Sequence, residues 1–396
     1  MTGSGLYIHI PFCRKKCDYC DFASIPMDPA ADDNVGAGGR QPLHDYLVAI
    51  NNELQSYPAF IPSTIFIGGG TPTILNPDEL HKLMDIVEAR GRVPLQIEFT
   101  IESNPGTVDA HKLKLLHYLG INRLSIGAQS FNDDELKILG RIHNSKQIIN
   151  AFENARNAGF DNINIDLIFG IPGQTLGSLK ETLDAAIKLN PEHISCYGLQ
   201  IEEGTPFWGR YVGDAHDSVQ TPHAASLSDD DLQYHMYKHT IDLLKSRGYH
   251  HYEISNFAKP GYECKHNINY WKNGDYLGIG ASAASHIDGK RWENTTNIDE
   301  YICKCGSRTA FINPATARDG GTPKIEITET ILMNLRLLEG IDLKEFENRF
   351  GASIHSLYGC QLGDLTLNGL VEIKSGLLRL TEKGLYLGNI VFESFV

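Results

Sequence analysis

Cys13, Cys17 and Cys20 fall within eight residues, in Phe12-Cys13-Arg14-Lys15-Lys16-Cys17-Asp18-Tyr19-Cys20. The spacing C-x3-C-x2-C supplies three thiolates. A [4Fe–4S] cube normally takes four Cys ligands, so three from one loop leave one iron without a protein ligand. An open position is where a metal centre binds a small molecule or does chemistry. Two other readings stay open on the residues alone, a zinc site and inert buried thiols. Structural zinc sites favour a second Cys or His pair downstream. The next Cys here is Cys196, in an apolar, strand-like run.

These thiols need a scaffold. The run Gly5-Leu6-Tyr7-Ile8-His9-Ile10, ending at Pro11, predicts a buried strand that delivers the loop. Further strands are predicted over 64–70, 96–104, 123–130, 162–172 and 193–200. Helical patterns lie between them over 46–57, 77–90, 110–119, 146–158 and 176–189. Asn76 is placed to cap a helix that opens on Pro77, and Gly159 to stop another. Six βα repeats in series predict an α/β fold with a parallel sheet and right-handed crossovers. Six rather than eight suggests an incomplete barrel. Residues 26–42 and 213–231 carry no periodic apolar pattern and are expected to be loops, mobile or variable. From about Lys324 the texture changes to helices plus a small hairpin turned at Lys374-Ser375-Gly376, a winged-helix-like arrangement. The expected domains are 1–248, an accessory segment 249–323, and 324–396.

Composition narrows the function classes. The chain has 396 residues, enough for a large core, and a formal net charge of −14. That charge argues against nucleic acid as the main partner. Arg14-Lys15-Lys16 reads either as a solvated loop face or as a docking patch for an acidic electron donor. Apolar runs are strand-sized, short of the ~20 residues that span a bilayer. Met1-Thr2-Gly3-Ser4 begins no basic-then-apolar segment, so no secretory signal is expected. Eight Cys intended for iron or left as free thiols suit a reducing cytoplasm.

The distinctive polar and glycine residues fall at predicted strand ends, where barrels of this kind build their sites. Gly68-Gly69-Gly70-Thr71-Pro72 follows the second strand, either as a tight turn or as a backbone surface that approaches a ligand closely. Glu102 ends the third strand and Gln129 the fourth. Asp166 lies in the fifth, and Arg141 follows a helical stretch. A carboxylate in an apolar strand is costly unless paired, so Asp166 and Arg141 could simply pair with each other.

The Cys loop after a first strand resembles the radical S-adenosylmethionine (SAM) signature. The longer set of motifs resembles one branch of that superfamily, the oxygen-independent coproporphyrinogen III oxidases and the related HemW-type heme chaperones. The set comprises Tyr7-Ile8-His9-Ile10-Pro11-Phe12-Cys13, Gly68–Pro72, Glu102-Ser103-Asn104-Pro105, Gly127–Phe131, Asp166–Pro172 with Gly173-Gln174-Thr175, and Ser195-x-Tyr197. The resemblance implies an incomplete (β/α)6 radical SAM barrel with a C-terminal winged-helix-like domain. It implies a [4Fe–4S] cluster on Cys13, Cys17 and Cys20. It also implies SAM contacts from Tyr7, Tyr19, Gly69, Gly70, Thr71, Glu102, Gln129, Arg141 and Asp166, without fixing whether one or two SAM molecules bind.

Two positions separate the branches. The oxidases carry a further Cys two residues past the third ligand, where this chain has Phe22. The chaperones carry H-N-x-x-Y-W, here His266-Asn267-Ile268-Asn269-Tyr270-Trp271. Imidazole is a natural heme-iron ligand, so His266 is the expected heme residue, with Cys264 a lesser candidate. Cys303, Cys305, His250 and His251 receive no role. The expected function is heme binding and transfer to a heme-accepting protein, with a reduced protein as electron donor. The resemblance keeps open the oxidase reaction, oxidative decarboxylation of coproporphyrinogen III. It also keeps open peripheral membrane contact and a homodimer.

Overall fold

The computed structural model describes residues 3–27, 41–88, 97–212, 230–306 and 323–396. The two loop expectations fall mostly on residues outside that set. All six predicted strands are present: β1 (Gly5–Ile10), β2 (Thr64–Gly69), β3 (Glu98–Ser103), β4 (Arg123–Gln129), β5 (Ile163–Phe169) and β6 (His193–Gly198). They pair in chain order and in parallel. Strands covered on both faces read as continuous apolar runs. Accordingly Ile8, Ile67, Ile101, Ile126, Ile165 and Ile194 are fully buried.

The crossovers are α1 (Gln41–Gln55), α2 (Pro77–Glu88), α3 (Ala110–Tyr118), α4 (Asp133–Ile138), α5 (Ser145–Ala158) and α6 (Leu176–Lys188). Their ends follow local chemistry. Asn76 accepts the Glu79 N–H at 2.9 Å while Glu79 accepts the Asn76 N–H at 2.8 Å, a reciprocal cap at the start of α2. Gly159 ends α5 at φ 104°, a conformation that suits glycine.

The sheet is larger than six strands. After α7 (Pro206–Tyr211) and α8 (Asp230–Ser246) come β7 (His250–Glu253) and β8 (Asn256–Ala258), which extend β6 antiparallel. After α9 (Lys265–Trp271), β9 (Tyr276–Ile279) returns to the opposite side and pairs parallel with β1, Tyr276 opposite Gly5. β10 (Ala284–Ile287) and β11 (Lys290–Glu293) finish that side. The 249–323 segment, expected as an accessory, therefore supplies both flanks of the barrel sheet.

The C-terminal part has its own core, including Ile331, Phe346, Leu362, Leu378 and Val391. Helices Pro323–Asn334, Leu343–Phe350 and Ile354–Leu367 precede the hairpin Val371–Lys374/Leu377–Leu380. Ser375 and Gly376 turn that hairpin with φ of 54° and 80°. Helices Glu382–Tyr386 and Gly388–Glu393 then return to the barrel, where Tyr386 packs against Tyr234 of α8. Among the described residues no helix is long and apolar enough to cross a membrane.

Candidate functional site

The C-terminal ends of the parallel strands open into a cavity of about 1200 Å³. Cys13, Cys17 and Cys20 lie on its wall as free thiols. The Cys loop is closed by a two-residue parallel pair, Phe12–Cys13 with Ile25–Pro26. It is fastened at Asp18, whose N–H donates to the Leu139 carbonyl and whose carboxylate pairs with Arg210 at 2.9 Å.

The basic run is part of this fastening. Arg14 donates to the Gly106 carbonyl at 2.8 Å, Lys15 to Gly140 at 3.2 Å and Lys16 to Phe22 at 2.9 Å. The glycine turn packs underneath. A Cβ on Gly70 would lie 2.6 Å from the Phe12 carbonyl oxygen, so only glycine lets the turn and the loop approach this closely. The N–H groups of Gly69, Gly70 and Thr71 already donate to Glu102, Ile10 and Phe12. Any ligand contact from this backbone therefore uses carbonyl oxygens.

A hydrogen-bond chain reaches the thiols. Arg141 donates to the Asn104 side-chain carbonyl, the Asn104 amide donates to the Thr71 hydroxyl at 2.7 Å, and that hydroxyl donates to Cys13 Sγ at 3.5 Å. A second Arg141 nitrogen donates to Cys17 Sγ at 3.3 Å. Donors aimed at ligand sulfurs are a principal means of tuning an iron–sulfur centre. Burial pushes the Cys13 and Cys20 thiols up from their ordinary pKa, so taking iron would release protons.

Two carboxyls face the same space. Burial, and secondarily the Asp166 charge, push Glu102 up to about 8. Asp166 accepts from Ser125 at 2.9 Å, Asn164 at 2.7 Å and Tyr197 at 2.7 Å. Asp166 and Arg141 therefore do not pair with each other. Gln129 sits at φ 69° at the β4 end, where the β4–β5 register slips, and its side-chain oxygen is buried without a partner. A strained, unsatisfied polar group on a cavity wall points to a ligand contact.

These features fit the implied cluster and SAM. Among the described residues no group of three His, Cys, Asp or Glu side chains converges as a single-ion site would need. A tetrahedral zinc draws its sulfurs to ~2.3 Å from one point, whereas ligands on separate irons of a cube need no such convergence.

Of the nine residues expected at SAM, all but Tyr7 line the cavity. Tyr7 instead bonds His9 Nδ1 at 2.9 Å, and His9 Nε2 bonds the Ala23 carbonyl at 2.8 Å, which steadies the loop from behind. Asn104, Ser125 and Tyr197 belong to the site without having been singled out. Asn104 and Tyr197 stand in the strand-end motifs, which was the available signal, whereas Ser125 lies inside β4 and carried none.

His266, the expected heme residue, is not among the residues that line the cavity. It is 1% exposed. Its Nδ1 bonds the Thr64 hydroxyl at 2.9 Å, its Nε2 the Tyr270 hydroxyl at 3.1 Å, and its ring stacks on Phe66. Thr64 opens β2, so His266 lies at the far end of the strands, roughly 16 Å from the Cys loop at ~3.3 Å per residue. Glu98 caps α9 by accepting the Lys265 and His266 N–H groups at 2.9 Å each. Cys264 is fully buried, with its thiol toward Glu98. Burial, and then the Arg123 charge, lower His266 to about 3.

Comparisons with known proteins agree with this architecture. The radical SAM superfamily model matches residues 7–186, and the HemN C-terminal domain model matches residues 322–387. The solved structure of coproporphyrinogen III oxidase (HemN) from Escherichia coli aligns with a TM-score of 0.77 at 24% identity, covering 99% of this chain and 90% of that one, which shows a shared fold. The fold and the Cys loop together define a radical SAM protein.

The chain is 36% identical to the heme chaperone HemW of Lactococcus lactis, over 98% of this chain and 96% of that protein. It is 38% identical to the heme chaperone HemW of Bacillus subtilis, over 98% of each. The chain belongs to the HemW family.

Proposed function

We propose that the chain is a heme chaperone that holds heme in the cavity beside a SAM-bound [4Fe–4S] cluster and passes it to a heme-accepting protein. The observation that carries this reading is the composition of one continuous cavity. Its Cys-loop end is polar and hydrogen-bonded. Its other end is walled by Tyr234, Tyr237, Tyr386, Leu387, Ile390 and Phe392. At about 1200 Å³ it exceeds the ~300–1,000 Å³ of a typical single-ligand site. Four apolar side chains at its edge, Phe22, Tyr234, Leu387 and Ile390, are 38–60% exposed, as an entrance for a flat apolar ligand would be. The names of the curated relatives support the same reading.

Cys13, Cys17 and Cys20 would hold the cube, which would supply an open coordination position for SAM and a source of single electrons. Around it Arg141, Asn104 and Thr71 orient the sulfurs. Glu102, Asp166 and Gln129 offer acceptors to the hydroxyl and ammonium groups of SAM. We assign these roles to residues 1–248, the flanking strands and α9 to 249–323, and the aromatic cover to 324–396. A reduced donor protein would approach where Arg14 and Lys15 are exposed. His266 acts in this reading through the fold, by sealing the barrel floor.

The test is anaerobic reconstitution, hemin titration by Soret absorbance, and transfer to apomyoglobin. The expected result is saturable uptake followed by transfer. Failure to take up hemin, or robust decarboxylation of coproporphyrinogen III with SAM and reductant, would overturn the reading.

A further inference from the structure

Trp271 ends the motif that contains His266, and its indole serves a purpose the heme-ligand expectation did not include. The Arg336 guanidinium carbon lies 4.4 Å from the Trp271 ring centroid, a stack that fixes a planar cation face-on. Arg336 follows helix Pro323–Asn334, and its carbonyl accepts the Ile254 N–H at 3.1 Å, which pins the backbone to the barrel. It lines the cavity. Its side chain makes no hydrogen bond or ion pair with any described residue, and its Nε is buried without a partner. The nearby buried acid, Glu253, feels the Arg336 charge but makes no hydrogen bond to it: one oxygen accepts from the Ser255 N–H at 2.8 Å and from the Asn256 amide, and the other has no hydrogen-bond partner.

A guanidinium that is held in orientation with its hydrogen-bonding fork unfilled in a cavity wall is a carboxylate receptor, because that fork matches the two oxygens. The surroundings select the rest of the ligand. Tyr237 sits beside Ile254 through a 2.6 Å hydrogen bond to its carbonyl, and its ring packs against Tyr386 and Phe169. Such a wall takes a flat, largely apolar body with an acidic edge.

We propose that Arg336, positioned by Trp271, anchors a propionate carboxylate of the bound porphyrin at the end of the cavity remote from the Cys loop. This rests on the heme-binding reading and places the ligand within it. The indole is a positioning residue, which gives the H-N-x-x-Y-W motif a second task besides sealing the floor through His266.

The experiment compares hemin with hemin dimethyl ester on the full-length, cluster-loaded chain by Soret titration, for wild type, Arg336→Gln, Arg336→Lys and Trp271→Leu. SAM binding serves as the check on an intact core. Wild type is expected to prefer hemin over the ester by about tenfold, the scale of a charged hydrogen bond. Arg336→Gln should lose about that factor for hemin and almost nothing for the ester. Arg336→Lys should recover part of the preference, and Trp271→Leu should reduce it. An unchanged hemin affinity in Arg336→Gln would overturn the anchor while leaving heme binding intact. An equal loss for both ligands would overturn it in favour of a structural role. A wild-type chain that binds neither ligand would overturn the anchor and the heme reading together.

Discussion

The two ends of the parallel sheet use the same residue types to opposite effect. At the far end, His266, Glu98, Arg123, Thr64 and Tyr270 surround one another, and Arg123 is 1% exposed. Each His266 ring nitrogen and each Glu98 oxygen has a protein partner there, while Arg123 Nε is buried without one. At the Cys-loop end, Glu102, Asp166, Gln129 and Arg141 face about 1200 Å³ of open space, and Gln129 retains an unpaired oxygen. Residue type alone therefore does not mark a site. What distinguishes the ends is whether the polar groups are enclosed by protein or border a cavity that a ligand can enter.

Four changes would break or sharpen that contrast, from largest to smallest. Cys13→Ala removes a cluster ligand at the open end, and iron after reconstitution should fall from about four per chain toward background, read by metal analysis. His266→Ala empties a sealed site and strands Thr64 and Tyr270. It should cost about 2–4 kcal/mol in denaturant unfolding while the surviving folded protein keeps its hemin affinity. Selective loss of hemin binding with full stability would reverse the contrast.

Glu102→Gln addresses pH. The Glu102 carboxyl ionises near 4.5 when unfolded and at about 8 in the fold. Between those values the folded state holds a proton that the unfolded state has lost, so stability falls as pH rises through that window. Glu53, raised to about 7 by burial, adds its own fall. The difference between wild type and Glu102→Gln isolates the cavity carboxyl, and each unit of displacement corresponds to about 1.4 kcal/mol. Lys16→Ala, which removes one exposed bond to the Phe22 carbonyl, should change stability by about 1 kcal/mol or less.

Much of this was legible in the residues because it is local. Strand runs, the Asn76 cap, the Gly159 stop and the Cys spacing each act over a few residues. β9 was not legible. It is four residues long, Tyr276-Leu277-Gly278-Ile279, and its partner β1 lies some 270 positions earlier. Helix Ile354–Leu367 was likewise missed. Two glycines and a kink at Tyr358 interrupt its pattern.

At the site, the strand-end residues were found because barrel chemistry collects there. The status of His266 was hidden because Thr64, which takes one of its nitrogens, lies 202 positions away. Arg336 was missed for the same reason. Its meaning depends on Trp271 beneath it and on the absence of an ion-pair partner among the described residues.

The proposed function depends on a cluster at the open end with one iron available to SAM. Electron–nuclear double resonance on the reduced, reconstituted chain with nitrogen-labelled SAM tests this most directly. The predicted result is a hyperfine coupling between the SAM amino nitrogen and the cluster, lost together with the cluster in Cys13→Ala. A fully reconstituted cube that shows no coupling to saturating SAM, or a lone zinc in its place, would contradict it.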